Sequence, residues 1–176
     1  MIIILYKYKI PTKREWLISV ILIVLFGFTL LSLIFSTSLV QGGSMSPTLQ
    51  DGDKVIFNKA IYFLEEPSRG DIVVIKKPVK NYVKRIIGLP NEVIEVKEND
   101  LYINGESYNQ NFLEEGRDNI YEFGPITIPE ESYFVMGDNR DISIDSRNGL
   151  GFITKEEIIG RSELILFPFE DIGQTR

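Results

Sequence analysis

Residues 71–97 read DIVVIKKPVKNYVKRIIGLPNEVIEVK, and this stretch decides the fold class. It contains three short runs, residues 71–76, 82–89 and 92–97, each dense in β-branched side chains. Runs of this length bounded by turn residues are the signature of strands. Leu89-Pro90-Asn91 separates the last two. Working outward, residues 54–57 (KVIF), 101–104 (LYIN) and 132–136 (SYFVM) repeat the pattern. Turn signals fall between them at Asp51-Gly52-Asp53, residues 67–70, Asn99-Asp100 and Asn104-Gly105. Residues 92–97 followed by 101–104 predict a β-hairpin. Thr154 with Glu157 three residues on predicts a capping box opening one short helix, stopped by Gly160. Residues 161–167 (RSELILF) then read as a final strand, and residues 106–123 as a surface excursion. The fold class is mainly β.

Composition bounds what such a fold can do. The chain has 176 residues, 44% hydrophobic and 25% charged, enough for one globular domain plus a short extra segment. Its net charge of −6, with no basic stripe interleaved with aromatics, argues against a nucleic-acid partner. There is no cysteine, so disulfides, thiol nucleophiles and thiolate metal sites are excluded. A cysteine-free chain suits an extracytoplasmic space. There is no histidine either, which excludes a Ser-His-Asp triad and zinc sites of the histidine type. Any serine activated here needs a lysine, a carboxylate or an amino terminus as its base. No cofactor and no metal is expected.

Charge is unevenly spread. Residues 1–15 carry Lys7, Lys9, Lys13 and Arg14 against Glu15, a balance of +3, and residues 16–40 carry none, which leaves −9 for the remainder. Residues 17–35 (LISVILIVLFGFTLLSLIF) span roughly 28 Å as a helix, about the hydrocarbon thickness of a bilayer. Trp16 sits at the near edge as an interfacial aromatic. The reading is a cytoplasmic N-terminus at 1–15, a transmembrane anchor at 16–40 and an extracytoplasmic domain at 41–176, oriented by the positive-inside rule. A cleaved secretory signal, with Ser36 and Ser38 as small residues at the cleavage site, is the competing reading; the apolar run is longer than the usual h-region. A buried core helix is the third.

Three segments carry possible chemistry. In GGSMSPTL (residues 42–49), glycines before Ser44 let a backbone approach closely and leave amides free to face an oxyanion. The bland alternative is a membrane-proximal linker and turn. In YVKRIIGLP (residues 82–90), strand alternation puts Lys84 on one face with Tyr82 and Ile86, and Arg85 on the other with Val83 and Ile87. A lysine between an aromatic and an isoleucine can be desolvated, which disfavours its ammonium form and makes it a base. The bland alternative is an edge-strand lysine that deters aggregation. GDNRDISIDSR (residues 137–147) packs five charged residues, two serines and an asparagine into eleven positions. It reads as a polar loop held by ion pairs, or simply as a charged surface loop.

SMSPTL, RGDIVVIK (residues 69–76), YVKRIIGLP and GDNRDISIDSR stand in the order and approximate spacing of the boxes of type I signal peptidases. The chain resembles the short Gram-positive, single-anchor, Ser-Lys members of that family. The resemblance implies a membrane-bound serine endopeptidase that removes signal peptides from secretory preproteins, on a β-rich serine-lysine protease fold. By it, Ser44 is the nucleophile, its backbone amide part of the oxyanion hole, and Lys84 the general base. Ser143 matches the serine that orients the lysine, and Asp145 and Arg147 a pair that stabilises the site. Met45, Tyr82 and Val83 are candidate substrate-lining residues, in a groove that takes an extended peptide by strand addition. The implied partners are secretory preproteins and the lipid bilayer.

Two positions depart from the family pattern. Ile142 stands where the loop usually has asparagine, and Gly42 where some relatives carry an oxyanion-donating serine. Two rival functions fit the sequence less well. A self-cleaving Ser-Lys regulator would cut an Ala-Gly bond in a linker, but the one alanine, Ala60, precedes Ile61. A non-catalytic membrane-bound homologue is expected to lose the serine or the lysine, and both are present.

Overall fold

The computed structural model describes residues 12–110, 113, 121–168 and 173–175. The chain forms two units, Met1–Ile34 and Phe35–Arg176. In the first, helix α1 covers Lys13–Ile34. Its start is a capping box: the Thr12 amide donates to Glu15 Oε2 at 2.8 Å, and the Glu15 amide to Thr12 Oγ1 at 3.3 Å. None of its residues is buried. Its 22 residues rise about 33 Å, and it is long and apolar enough to cross a membrane. Of the basic cluster, Lys7 and Lys9 lie outside the described residues.

The uncharged stretch divides at Ile34. Phe35–Leu39 is a strand, β1, paired along its whole length with β2, Lys54–Asn58. The anchor reading carried the membrane segment to residue 40. Lack of charge is not enough for that: Ser36, Thr37 and Ser38 are poor helix formers with local hydrogen-bonding alternatives, and β2 offers them a full ladder.

Among the described residues further strands follow: β3 (Ile72–Lys76), β4 (Asn81–Gly88), β5 (Val93–Lys97), β6 (Asp100–Ile103), β7 (Glu106–Ser107) and β8 (Phe123–Thr127). Then come β9 (Ser132–Met136), β10 (Ile153–Thr154), β11 (Ile158–Phe167) and β12 (Gly173–Gln174). One sheet runs β1-β2-β11-β3-β4-β9-β10, with β12 added to β11, and a second runs β7-β6-β5-β8. All pairings are antiparallel. The mainly β class expected from the sequence is what forms.

The predicted hairpin is β5–β6, but its turn is Glu98-Asn99, one residue earlier than expected, both with positive φ. That conformation twists two strands together in the right-handed sense. Asn104-Gly105 makes the next tight turn, between β6 and β7. The Thr154–Glu157 capping box also forms, but it opens only a single 3₁₀ turn. Gly160 is not a helix stop. It lies inside β11, where a Cβ would come within 2.3 Å of the Asn58 carbonyl oxygen; the glycine lets β11 come close to the backbone at the end of β2. Of the excursion at residues 106–123, residues 111–112 and 114–120 lie outside the described residues.

Three apolar clusters make the core. One joins Val73, Ile75, Ile86, Tyr133, Val135 and Ile153. Another joins Ile87, Ile94, Val96, Phe134 and Met136, where Phe134 stacks on Phe123 with centroids 5.6 Å apart. The third holds Val40, Met45, Leu49, Val55 and Ile72. Burying each such side chain contributes about 1.5–3 kcal/mol. Strand β4 supplies residues to all three clusters or their margins, so its register is strongly set.

Candidate active site

Ser44 stands on a short looped segment between β1 and β2. Its position is set from both sides by apolar anchors. Val40 is buried before it and Met45 and Leu49 after it, all in one cluster. The Leu49 amide donates to the Met45 carbonyl at 3.0 Å, and the Ser46 amide to Gly43 at 3.1 Å. Gly42 takes a positive φ of 81°, which a serine there would adopt only under strain. Its amide donates to Asp51 Oδ1 at 2.7 Å.

Lys84 projects from β4, paired with β3 in the register Lys84↔Val73. It is 2% exposed, among the largest of the fully buried side chains. Its Nζ lies 2.6 Å from Ser44 Oγ. Burial brings its amine down to about 8, against the opposing pull of the Asp145 and Asp138 carboxylates; the positive charges of Lys80 and Arg147 add to the lowering. At that value a useful fraction of the amine is neutral near pH 7. The edge-strand alternative for Lys84 does not hold: the β9 ladder begins only at Arg85, but the Lys84 side chain is buried against Ser44 instead of standing in solvent as a deterrent.

The 137–147 loop closes over the pair. The Asn139 amide donates to the Ser44 carbonyl at 3.1 Å, and the Ser143 amide to Asn139 at 3.2 Å. Asp145 takes two bonds from the Arg147 guanidinium, each 2.9 Å, and one from the Gly137 amide at 3.0 Å. Burial alone would raise the Asp145 carboxyl. The Arg147 bonds and charge, with the Gly137 amide and the nearby Ser143 hydroxyl, hold it below the usual range instead. The Arg147 guanidinium also donates to the Arg140 carbonyl at 2.9 Å. Ser143 is buried, and its hydroxyl, close as it is to Asp145, meets no hydrogen-bond geometry with any of the described residues, Lys84 included. Ser146 Oγ accepts from the Val135 amide at 2.9 Å and so serves strand β9.

A cleft of about 460 Å³ opens beside Ser44 and Lys84. Residues 38–43 form one wall and residues 80–84 the other, with Ile142 and Ile144 joining them. Tyr82 and Val83 are half-buried in its lining; Met45 borders it but is spent mainly on the core. All eight residues singled out in the sequence, Ser44, Met45, Tyr82, Val83, Lys84, Ser143, Asp145 and Arg147, thus fall in or against one region.

Besides Asp138, three contributors have no role assigned from the sequence. Arg85 forks onto Asp138, Nε to Oδ1 at 2.9 Å and an Nη to Oδ2 at 2.7 Å, and its other Nη donates to the Gly70 carbonyl. Thr48 Oγ1 donates to the same Asp138 oxygen at 2.6 Å. This triangle ties the Ser44 segment, β4 and the 137–147 loop together. Gly137 is the third. A Cβ there would lie 2.2 Å from Ser143 Oγ and 2.4 Å from the Ser44 carbonyl oxygen. The sequence did hold one signal for the triangle: an arginine on a strand face between Val83 and Ile87 needs a buried anion.

The geometry can be set beside known proteins. The family model described as signal peptidase, peptidase S26, matches residues 13–167. A signal peptidase I of Bacillus licheniformis is 42% identical over 171 residues, covering 92% of each chain. Signal peptidase I T of Bacillus subtilis is 39% identical over 180 residues, covering 97% of this chain and 93% of that one. A solved signal peptidase I structure from Enterococcus faecalis is 32% identical and covers 55% of this chain and 97% of that one, with a TM-score of 0.48. The family match takes in Ser44, Lys84 and the whole 137–147 loop, so the chain belongs to the signal peptidase family, peptidase S26.

Proposed function

We propose that this chain is a serine endopeptidase that cuts secretory preproteins after a small residue at the end of the signal peptide, with Ser44 as nucleophile and Lys84 as general base. The 2.6 Å contact between Lys84 Nζ and Ser44 Oγ carries this reading. A neutral Lys84 amine takes the Ser44 hydroxyl proton as the oxygen attacks the scissile carbonyl. The resulting ammonium gives that proton to the leaving amine, and an acyl ester remains on Ser44. Water, deprotonated by the same amine, hydrolyses the ester and releases the signal peptide. The Ser44 amide faces the developing oxyanion; with glycine at 42, no hydroxyl from that position adds to it.

The cleft walls suit an extended peptide. Among the described residues, β1 is the outer strand of its sheet, and residues 81–84 of β4 have a ladder partner on the β3 side only. A segment between them finds backbone donors and acceptors on both sides. Ser143, buried beside Gly137 with a spare hydroxyl, orients the Lys84 amine once substrate arrives, and the Asp145–Arg147 pair fixes the loop that carries it. Single-turnover cleavage of a preprotein by detergent-purified enzyme tests these roles together. Ser44→Ala should be inactive, and full activity in it excludes the mechanism. Ser143→Ala should be slowed on the order of 100-fold through misplacement of the base, and Ser146→Ala far less; the reverse order would exchange the two serines.

We further infer that α1 crosses the lipid bilayer once, with residues 1–15 cytoplasmic and the catalytic domain, residues 41–176, extracytoplasmic. The basic excess at residues 1–15 supports this orientation. Protease added to cells stripped of their wall should digest the catalytic domain; a domain protected until the membrane is lysed would reverse the orientation.

A further inference from the structure

Ile142 and Ile144 are large apolar side chains left 61% and 52% exposed, on a loop most of whose other members are tied down by hydrogen bonds and ion pairs. Ser143 between them points inward and is 1% exposed. The alternation therefore aims both isoleucines outward, into the lining of the cleft. The backbone that carries them is held at Ser44, through the Asn139 amide, and at Ser143, whose carbonyl accepts from Asn148 Nδ2 at 2.9 Å. Ile142 Cδ1 lies 3.5 Å from where a Gly43 Cβ would be. The isoleucines thus stand at the nucleophile end of the cleft on a stiff support.

The rest of the lining locates what they would touch. Residues 38–41 and 80–83 are consecutive backbone leading up to Ser44 and Lys84. At about 3.3 Å per residue, two such walls accommodate roughly four residues of extended peptide on one side of the bond being cut. On the proposed reading of the site, which this inference rests on, that side holds the end of the signal peptide. A chain continuing past Ser44 leaves the strand walls and meets the 142–144 loop.

We propose that Ile142 and Ile144 form an apolar lip that contacts the first residue of the mature protein and favours preproteins with an apolar side chain there. A charged residue at that position would have to be desolvated against two isoleucines with no counter-ion among the residues of the lip. An apolar contact of this size discriminates by about tenfold.

The test uses full-length enzyme in detergent and preproteins identical except at the first mature residue: valine, aspartate or lysine. Wild type should show kcat/KM for valine about tenfold above aspartate, expressed mainly in KM. In the Ile142→Ser/Ile144→Ser double variant that ratio should fall close to one. Ile142→Asp should instead favour lysine over aspartate, a gain that a misfolded protein cannot produce. The proposal is overturned if wild type does not discriminate, if the variants keep the wild-type ratio, or if the changed preference maps to residues before the cut. It is also overturned if the double variant loses rate equally on all three substrates, which would make the lip a contact for lipid or for the fold. Failure of the underlying site reading looks different: Ser44→Ala would then still cut, whatever the ratios.

Discussion

Lys84 and Arg85 are neighbours on β4, each 2% exposed, yet their two faces of the strand are built for opposite ends. Arg85 is surrounded by acceptors: both Asp138 oxygens and the Gly70 carbonyl. Among the described residues Lys84 hydrogen-bonds the neutral hydroxyl of Ser44 and no carboxylate. Desolvation costs both cations dearly. On the Arg85 side an anion at hydrogen-bonding distance offsets that cost. On the Lys84 side Asp145 and Asp138 act only at longer range, and the amine's hold on its proton weakens. Burial is the same; pairing differs. One face is structural and the other chemical because of where the carboxylates stand.

The sharpest way to break this contrast is to put a permanent charge on the chemical face. Lys84→Arg keeps a cation near Ser44, but a guanidinium cannot give up its proton in the working range. Single-turnover cleavage should fall by about 10³-fold, the scale of losing a general base. A variant that keeps most of its rate would show that Lys84 acts through charge alone.

The structural face breaks in a different currency. Asp138→Asn leaves Arg85 buried without its counter-ion and should cost about 3 kcal/mol of stability, as for other broken buried pairs. For a domain of this size that is a melting point lower by roughly 6–12 °C. The double variant Arg85→Met/Asp138→Leu should recover much of the loss. If Asp138→Asn melts like wild type, the triangle of Thr48, Arg85 and Asp138 does not hold the site together.

The smallest effect sharpens the comparison through pH. With the Lys84 amine at about 8, cleavage should rise about tenfold between pH 7 and pH 9, then level off as the neutral form saturates. Stability follows the same group. The folded pKa lies below the unfolded value of about 10.4, so between pH 8 and that value the unfolded chain binds a proton that the folded chain does not. Stability therefore rises with pH across this window. Measured as the difference in melting temperature between wild type and Lys84→Met, the contribution separates from other groups, such as Tyr62, whose phenol is also buried and held high by burial and by Asp71. A pH-independent difference would mean that Lys84 keeps its ordinary affinity for protons.

Much of the fold was readable because strands announce themselves locally. β3, β4, β5, β6 and β9 lie within one residue of the runs read from the sequence. The misses have common causes. β1 was hidden by its lack of charge, which made it look like more of the membrane helix. β8 contains Gly124 and Pro125, residues that ordinarily argue against a strand, and is stabilised by pairing with β5. Gly160 was read by its commonest use, yet the backbone of Asn58, far away in sequence, requires it small.

The site divides in the same way. By itself the sequence determined that no histidine or cysteine can serve, that a serine follows glycines, and that Lys84 and Arg85 face opposite ways. Those are matters of residue identity and of strand period, and no folding is needed to know them. Only the tertiary structure decided that Ser44 and Lys84, forty residues apart, stand 2.6 Å from each other, and that Asp138 pairs with Arg85 rather than with Lys84. Both depend on where three separate segments meet, and that meeting is set by long-range packing around β4. Hydrogen bonding and desolvation act over a few ångströms, so chemistry of this kind exists only once the chain has closed.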